Sequence, residues 1–278
     1  MRLLLAALAL LLPAAALAHP SRGIVAAADG RVYFSDLLRI WTISPDGRLS
    51  VVRGPNGGHT HELFLASDGA LYGEDSHYAD GSYTSALWRR NVNGRIAFLF
   101  GPAANPPPGL GVVRDNRGCT YQSDKTRTGA LVLCRRCAGR SERLRGATAP
   151  PRELLSNIAG AATGPGGFYF RRGPTVHRVD PSGRTMLVAN GLSAENFGLA
   201  VDPDGSLYVA EFANGRVVRV DRDGRRSVAA KSPAHWAPTG VAYAGRSLYL
   251  LEASRAGSNR MRVRRIHGGR SRVMAVVP

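Results

Sequence analysis

One four-strand pattern recurs six times along this 278-residue chain, and nothing else in the sequence narrows the fold so far. Its punctuation is a turn ending in Gly-Arg or its equivalent: Pro45-Asp46-Gly47-Arg48, Asn93-Gly94-Arg95, Ala138-Gly139-Arg140, Pro181-Ser182-Gly183-Arg184, Arg222-Asp223-Gly224-Arg225 and Gly268-Gly269-Arg270. The turn glycines stand 47, 45, 44, 41 and 45 residues apart. Ahead of each turn lies a short β-rich segment with tyrosine in its second place, at Tyr33, Tyr72, Tyr121, Tyr169, Tyr208 and Tyr249. Aromatic and β-branched residues suit a half-buried pleated strand, and a glycine turn just before each segment supplies a hairpin. The unit therefore reads as strand A, a glycine turn, strand B, a variable loop, strand C, the Gly-Arg turn and strand D. Four antiparallel strands at this period, with no helical periodicity, predict an all-β, six-bladed β-propeller of four-stranded antiparallel blades.

The first residues predict processing rather than structure. Met1-Arg2, the apolar run Leu3–Leu12 and the Ala16-Leu17-Ala18 site have the form of a cleaved signal peptide over residues 1–18. Residues 19–278 then make one propeller domain outside the cytoplasm, periplasmic or extracellular. The apolar run is shorter than the roughly 20 residues of a membrane span, so the chain is expected not to cross a membrane. The formal charge is +17, almost wholly arginine, since Lys125 and Lys231 are the two lysines. The arginines read as scattered through turns and outer strands without a basic run, which argues against nucleic acid as a partner. A small molecule or a cell-envelope component is the expected partner.

In a propeller the starts of the A strands and the ends of the B strands meet on one face. Aligning the tyrosines puts Ser21, Thr60, Gly109, Asn157, Asn196 and Ala237 at equivalent A-strand starts. His59, His61 and Glu62 flank the second start, Glu195 the fifth and His235 the sixth. Asp36, Glu74, Asp75, Asp124, Glu211 and Glu252 end the B strands, and His77 falls in a second-blade loop spanning Ser76–Ser85. Imidazole with carboxylate suits a transition metal, whereas the competing reading has these residues capping strands or answering arginines. Cys119, Cys134 and Cys137 all lie in the third repeat. Counting outward from a turn at Thr126-Arg127 sets Cys119 opposite Cys134 as the expected disulfide, with Cys137 as the alternative partner.

The segment from Asn196 to Glu211, followed by Asn214-Gly215-Arg216-Val217-Val218-Arg219-Val220-Asp221, resembles a blade of the senescence-marker-protein/gluconolactonase family, which includes regucalcin. The resemblance implies a divalent cation, Ca2+ in the first instance, on the axis of the face just described, used as a Lewis acid on a lactone or ester. Carried over by position, Asn157 and Asn196 fall on family ligand places, while Ser21 stands where a glutamate is expected and Gly109 where an asparagine is expected. Three functions are thus expected in order: a propeller binding a ligand at this face, a metal-dependent lactone or ester hydrolase, and a transition-metal protein using clustered histidines.

Overall fold

The computed structural model describes residues 20–104, 107, 110–125, 127–128, 131–148, 160–256 and 260–278. The expected signal peptide, His19, Gly109 and Asn157 lie outside them. Six antiparallel sheets follow one another as the blades of a β-propeller, each ordered A to D from the axis outward. Blade one is Ile24–Ala26, Val32–Ser35, Ile40–Ile43 and Leu49–Arg53; blade two is His59–Leu65, Leu71–Ala79, Ser82–Arg90 and Ile96–Ala103. Blade three holds Thr120–Lys125, Leu131–Cys137 and Arg140–Thr148, and blade four Ala161–Gly164, Gly167–Arg172, Thr175–Val179 and Thr185–Ala189. Blade five is Asn196–Val201, Leu207–Glu211, Arg216–Val220 and Arg226–Lys231; blade six is Trp236–Ala244, Ser247–Ser254, Met261–His267 and Arg270–Val277. The described residues contain no helix long and apolar enough to cross a membrane.

Blade three departs from four strands. Among the described residues its inner segment makes a single bridge, Arg114 to Thr120.

Both sequence marks have a physical cause. The six C–D turn glycines, 47, 94, 139, 183, 224 and 269, all have positive φ, between 76° and 92°, where a side chain is disfavoured. Three of the tyrosine hydroxyls reach back to their A–B turns: Tyr121 donates to Asp115 at 2.8 Å, Tyr208 to Asp202 at 3.2 Å, and Tyr169 to the Pro165 carbonyl at 2.5 Å. Asp115 and Asp202 also accept backbone N–H groups of their own turns, so each of these tyrosines locks a hairpin. Burial first, and then the neighbouring carboxylate, push both Tyr121 and Tyr208 up to about 12.

The ring closes without strand exchange. Ile24, Val32, Phe34 and Ile43 of blade one form one buried cluster with Tyr249, Leu251, Val263 and Val277 of blade six. Nonpolar burial thus does what a shared strand would otherwise do.

The disulfide is Cys119–Cys137, which corrects the favoured Cys119–Cys134 pairing in favour of the alternative. The register runs from Leu131 opposite Lys125 to Arg136 opposite Thr120. One further step sets Cys137 opposite Cys119, with Cα atoms 4.4 Å apart. The hairpin loop is longer than the two residues assumed, which moves the partner by three positions. Cys134 is a buried free thiol.

Candidate functional site

The inner strands surround an axial cavity of about 160 Å³, lined by residues of all six blades. Close approach is required there: a Cβ on Gly240 would lie 2.4 Å from the Arg22 carbonyl, on Gly160 2.5 Å from that of Phe197, and on Gly198 2.7 Å from the Gly240 Cα. Most of the lining side chains are apolar, with Ile24, Val25, Leu63, Leu199 and Val241 among them. The charged end, with Arg22 and Glu62, is the face on which the A strands begin.

Three inner strands break register at that end, between Thr60 and Leu63, Asn196 and Leu199, and Pro238 and Gly240. A bulge adds unpaired residues and re-aims side chains. In blade two the irregular residues are His61 and Glu62. Glu62 accepts the Arg22 Nε–H at 2.7 Å, and both side chains are over nine-tenths buried and line the cavity. His61, Glu74 and Asp75 are buried close by in the same sheet. Arg22 was not foreseen. Its signal is a charged residue beside Ser21 at the start of an otherwise apolar strand. Nor are the arginines confined to turns and outer strands, because Arg22, Arg171, Arg262 and Arg264 are all buried.

The carboxylates that end the B strands are bound into the scaffold. Asp75 accepts from Arg53, Asn56, Thr60 and Trp88 at 2.6–3.0 Å, and Arg53 comes from blade one, so this contact also joins two blades. Asp36 accepts two N–H groups of its own turn and the Trp41 indole. Glu211 accepts from the Ser193 N–H, Asn214 and Arg216 at 2.7–3.0 Å. Burial pushes the Glu211 carboxyl up, but these three donors outweigh it and hold the group below its ordinary value. Glu252, fully buried, accepts from Ser232, Arg262 and Arg264.

Three of the four candidate histidines come together on blade two. The His59 and His61 rings meet edge to face at 5.9 Å, and a Cβ on Gly58 would lie 2.6 Å from the His77 ring. His77 is not in a loop: Ser76–Ala79 pairs with Ser82–Ser85 across the two-residue turn Asp80-Gly81, so both strands run on as one long hairpin. An Asp-Gly turn with positive φ at both residues favours this tight hairpin over the expected loop. His235 lies apart, in a cleft between blades five and six. Glu195 is exposed and its carbonyl accepts the Phe212 N–H. Asn196 opens the inner strand of blade five.

The described donors do not fit a calcium site. Calcium takes six to eight oxygen ligands, commonly including carboxylates. At this mouth Glu62 faces a guanidinium, and no three His, Cys, Asp or Glu side chains among the described residues are grouped to hold a metal ion. The histidines of blade two likewise form no such group.

No curated protein matches the chain in sequence. The family model described as "SMP-30/Gluconolactonase/LRE-like region" matches residues 175–254. Among solved structures, a gluconolactonase from Xanthomonas campestris is similar at 16% identity and TM-score 0.59, covering 82% of each chain. A calcium-binding regucalcin from Agrobacterium tumefaciens is similar at 16% identity and TM-score 0.57, covering 86% of this chain and 83% of its own. A virginiamycin B lyase from Staphylococcus aureus is similar at 16% identity and TM-score 0.51, covering 91% and 83%. Lactonase and lyase share the architecture, so at these identities the likeness speaks for fold alone. The chain is a six-bladed β-propeller, similar to the SMP-30/gluconolactonase model across residues 175–254.

Proposed function

We propose that this propeller binds a small polar molecule at the mouth of its axial cavity, outside the cytoplasm. The observation that carries the reading is the Arg22–Glu62 pair, set by a strand bulge at one end of a cavity whose other lining side chains are mostly apolar. A buried ion pair gains little over well-packed apolar side chains, because desolvating both charges offsets their attraction. Retaining one at the mouth of a cavity is better accounted for by recognition than by stability. Arg22 supplies donors to a ligand oxygen and Glu62 an acceptor to a ligand hydroxyl or amide, while the apolar walls receive the ligand's less polar part. The disulfide supports an oxidising compartment. The ligand is a free small molecule or the exposed end of a cell-envelope component.

A second reading is a lactone or ester hydrolase using a divalent cation, favoured by the family-model match over residues 175–254. One experiment separates the two. A thermal-shift panel of sugar acids, lactones and small amides, run with and without Ca2+ or Zn2+, is followed by turnover assays on every compound that raises the midpoint. Stabilisation lost in Arg22→Met/Glu62→Met, without turnover, is the expected result. Cation-dependent lactone turnover abolished by Asn196→Ala would replace it with the hydrolase.

A further inference from the structure

Away from the axis, on the same face, an open cleft of about 520 Å³ separates blades five and six. Arg216, Lys231, His235 and Arg255 line it, together with Trp236 and Asn214, and no Asp or Glu does. The carboxylates beneath it are taken up by donors of the scaffold and do not line the opening. Glu211 is held by Arg216 and Asn214, and Glu252 by Arg262, Arg264 and Ser232; both glutamates are buried. Lys231, one of only two lysines in the chain, is exposed, and its ammonium has no carboxylate partner among the described residues.

The cleft is also built rather than incidental. His235 sits at φ 68°, in the left-handed region, and its carbonyl accepts the Arg255 N–H at 2.7 Å. The Ser232 N–H donates to the Gly215 carbonyl at 2.8 Å, which pins the crossover between the blades to the blade-five turn. The Arg255 guanidinium lies 4.9 Å from the Phe212 ring centre and donates to the Phe212 carbonyl. Arg262 covers one face of Trp236 at 4.1 Å. Cations fixed on aromatic faces and backbone lose less side-chain entropy when an anion arrives.

We infer that this cleft is a second ligand site, separate from the cavity mouth, and that it takes a compact multivalent oxyanion, phosphoryl or polycarboxylate, between Lys231, Arg255 and Arg216. Planar guanidinium groups suit bidentate contact with such oxygens, and Lys231 adds a mobile point charge.

Calorimetric titration of the whole protein with inorganic pyrophosphate and with citrate, at low ionic strength, tests it. Both probes are expected to bind with one-to-one stoichiometry. Lys231→Met/Arg255→Met, both positions being exposed, should weaken binding at least tenfold at an unchanged melting midpoint. Arg222→Met/Arg225→Met, on the opposite face of blade five, should leave it within twofold, as should Arg22→Met/Glu62→Met at the cavity mouth. Pyrophosphate binding alone would assign the cleft to phosphoryl groups, and citrate alone to carboxylates. Equal loss in both arginine-bearing surface variants, or no loss in Lys231→Met/Arg255→Met, would overturn the site and leave only nonspecific attraction to a basic protein. Should the double variant unfold, Lys231→Gln alone carries the same test, with at least a threefold loss expected.

Discussion

Glu62 and Glu252 are both buried on the same face, and each accepts an arginine Nε–H at 2.7 Å. Their settings differ. Glu252 stands directly across from Arg262 in the ladder of one blade, and Arg264 and Ser232 saturate its remaining oxygen. Glu62 reaches from a bulge in blade two to an arginine of blade one, across the mouth of the cavity. The first arrangement clamps a sheet and leaves nothing for a ligand. The second joins two blades where the inner strands stop being regular, and it lines the space a ligand would enter. Identical chemistry thus serves architecture in one place and recognition in the other.

That contrast breaks if Glu252 proves dispensable. Glu252→Gln should destabilise by about 3–5 kcal/mol in denaturant titration, because two guanidinium groups lose their buried counter-charge. A cost below about 1 kcal/mol would remove the clamp.

Next in size is the blade-three staple. Cys119→Ser should cost about 3 kcal/mol, the scale for a loop of this sequence separation. Burial, and then Asp124, push the Cys134 thiol up, so the native protein should show no reactive thiol and the unfolded, unreduced protein one. A thiol that reacts at once would point instead to Cys119–Cys134 pairing.

Glu211 gives the smallest effect. Its carboxyl is held below the ordinary value, so the stability it contributes is full above the unfolded pKa of about 4.3 and is lost as pH falls through the lowered folded value. Glu211→Gln should flatten the acid limb of the stability curve below about pH 4 and lower stability at neutral pH. An acid limb unchanged by the substitution would mean that Glu211 does not clamp its blade.

The six-blade ring was legible because its marks have single local causes. Each turn glycine needs positive φ, and each tyrosine holds the same place in its hairpin, where three of the six lock the A–B turn, so both recur in register. What depends on the exact length of a turn was not legible. Three extra positions at one hairpin moved the partner of Cys119, and a two-residue Asp80-Gly81 turn converted an expected loop into strands carrying His77. The site was half legible. Glu62 and His61 stood out as polar residues at a strand start, whereas Arg22 was masked by a chain rich in arginine. The bulges that aim these residues arise from packing around the axis and leave no composition signal.

The most direct measurement is a calorimetric titration of the best thermal-shift compound into wild type, Glu252→Gln and Arg22→Met/Glu62→Met, with melting midpoints recorded alongside. The expected result is a double variant nearly as stable as wild type that no longer binds, beside a Glu252→Gln protein that is much less stable yet binds normally while folded. Wild-type affinity in Arg22→Met/Glu62→Met would contradict the assignment of the cavity mouth as the site.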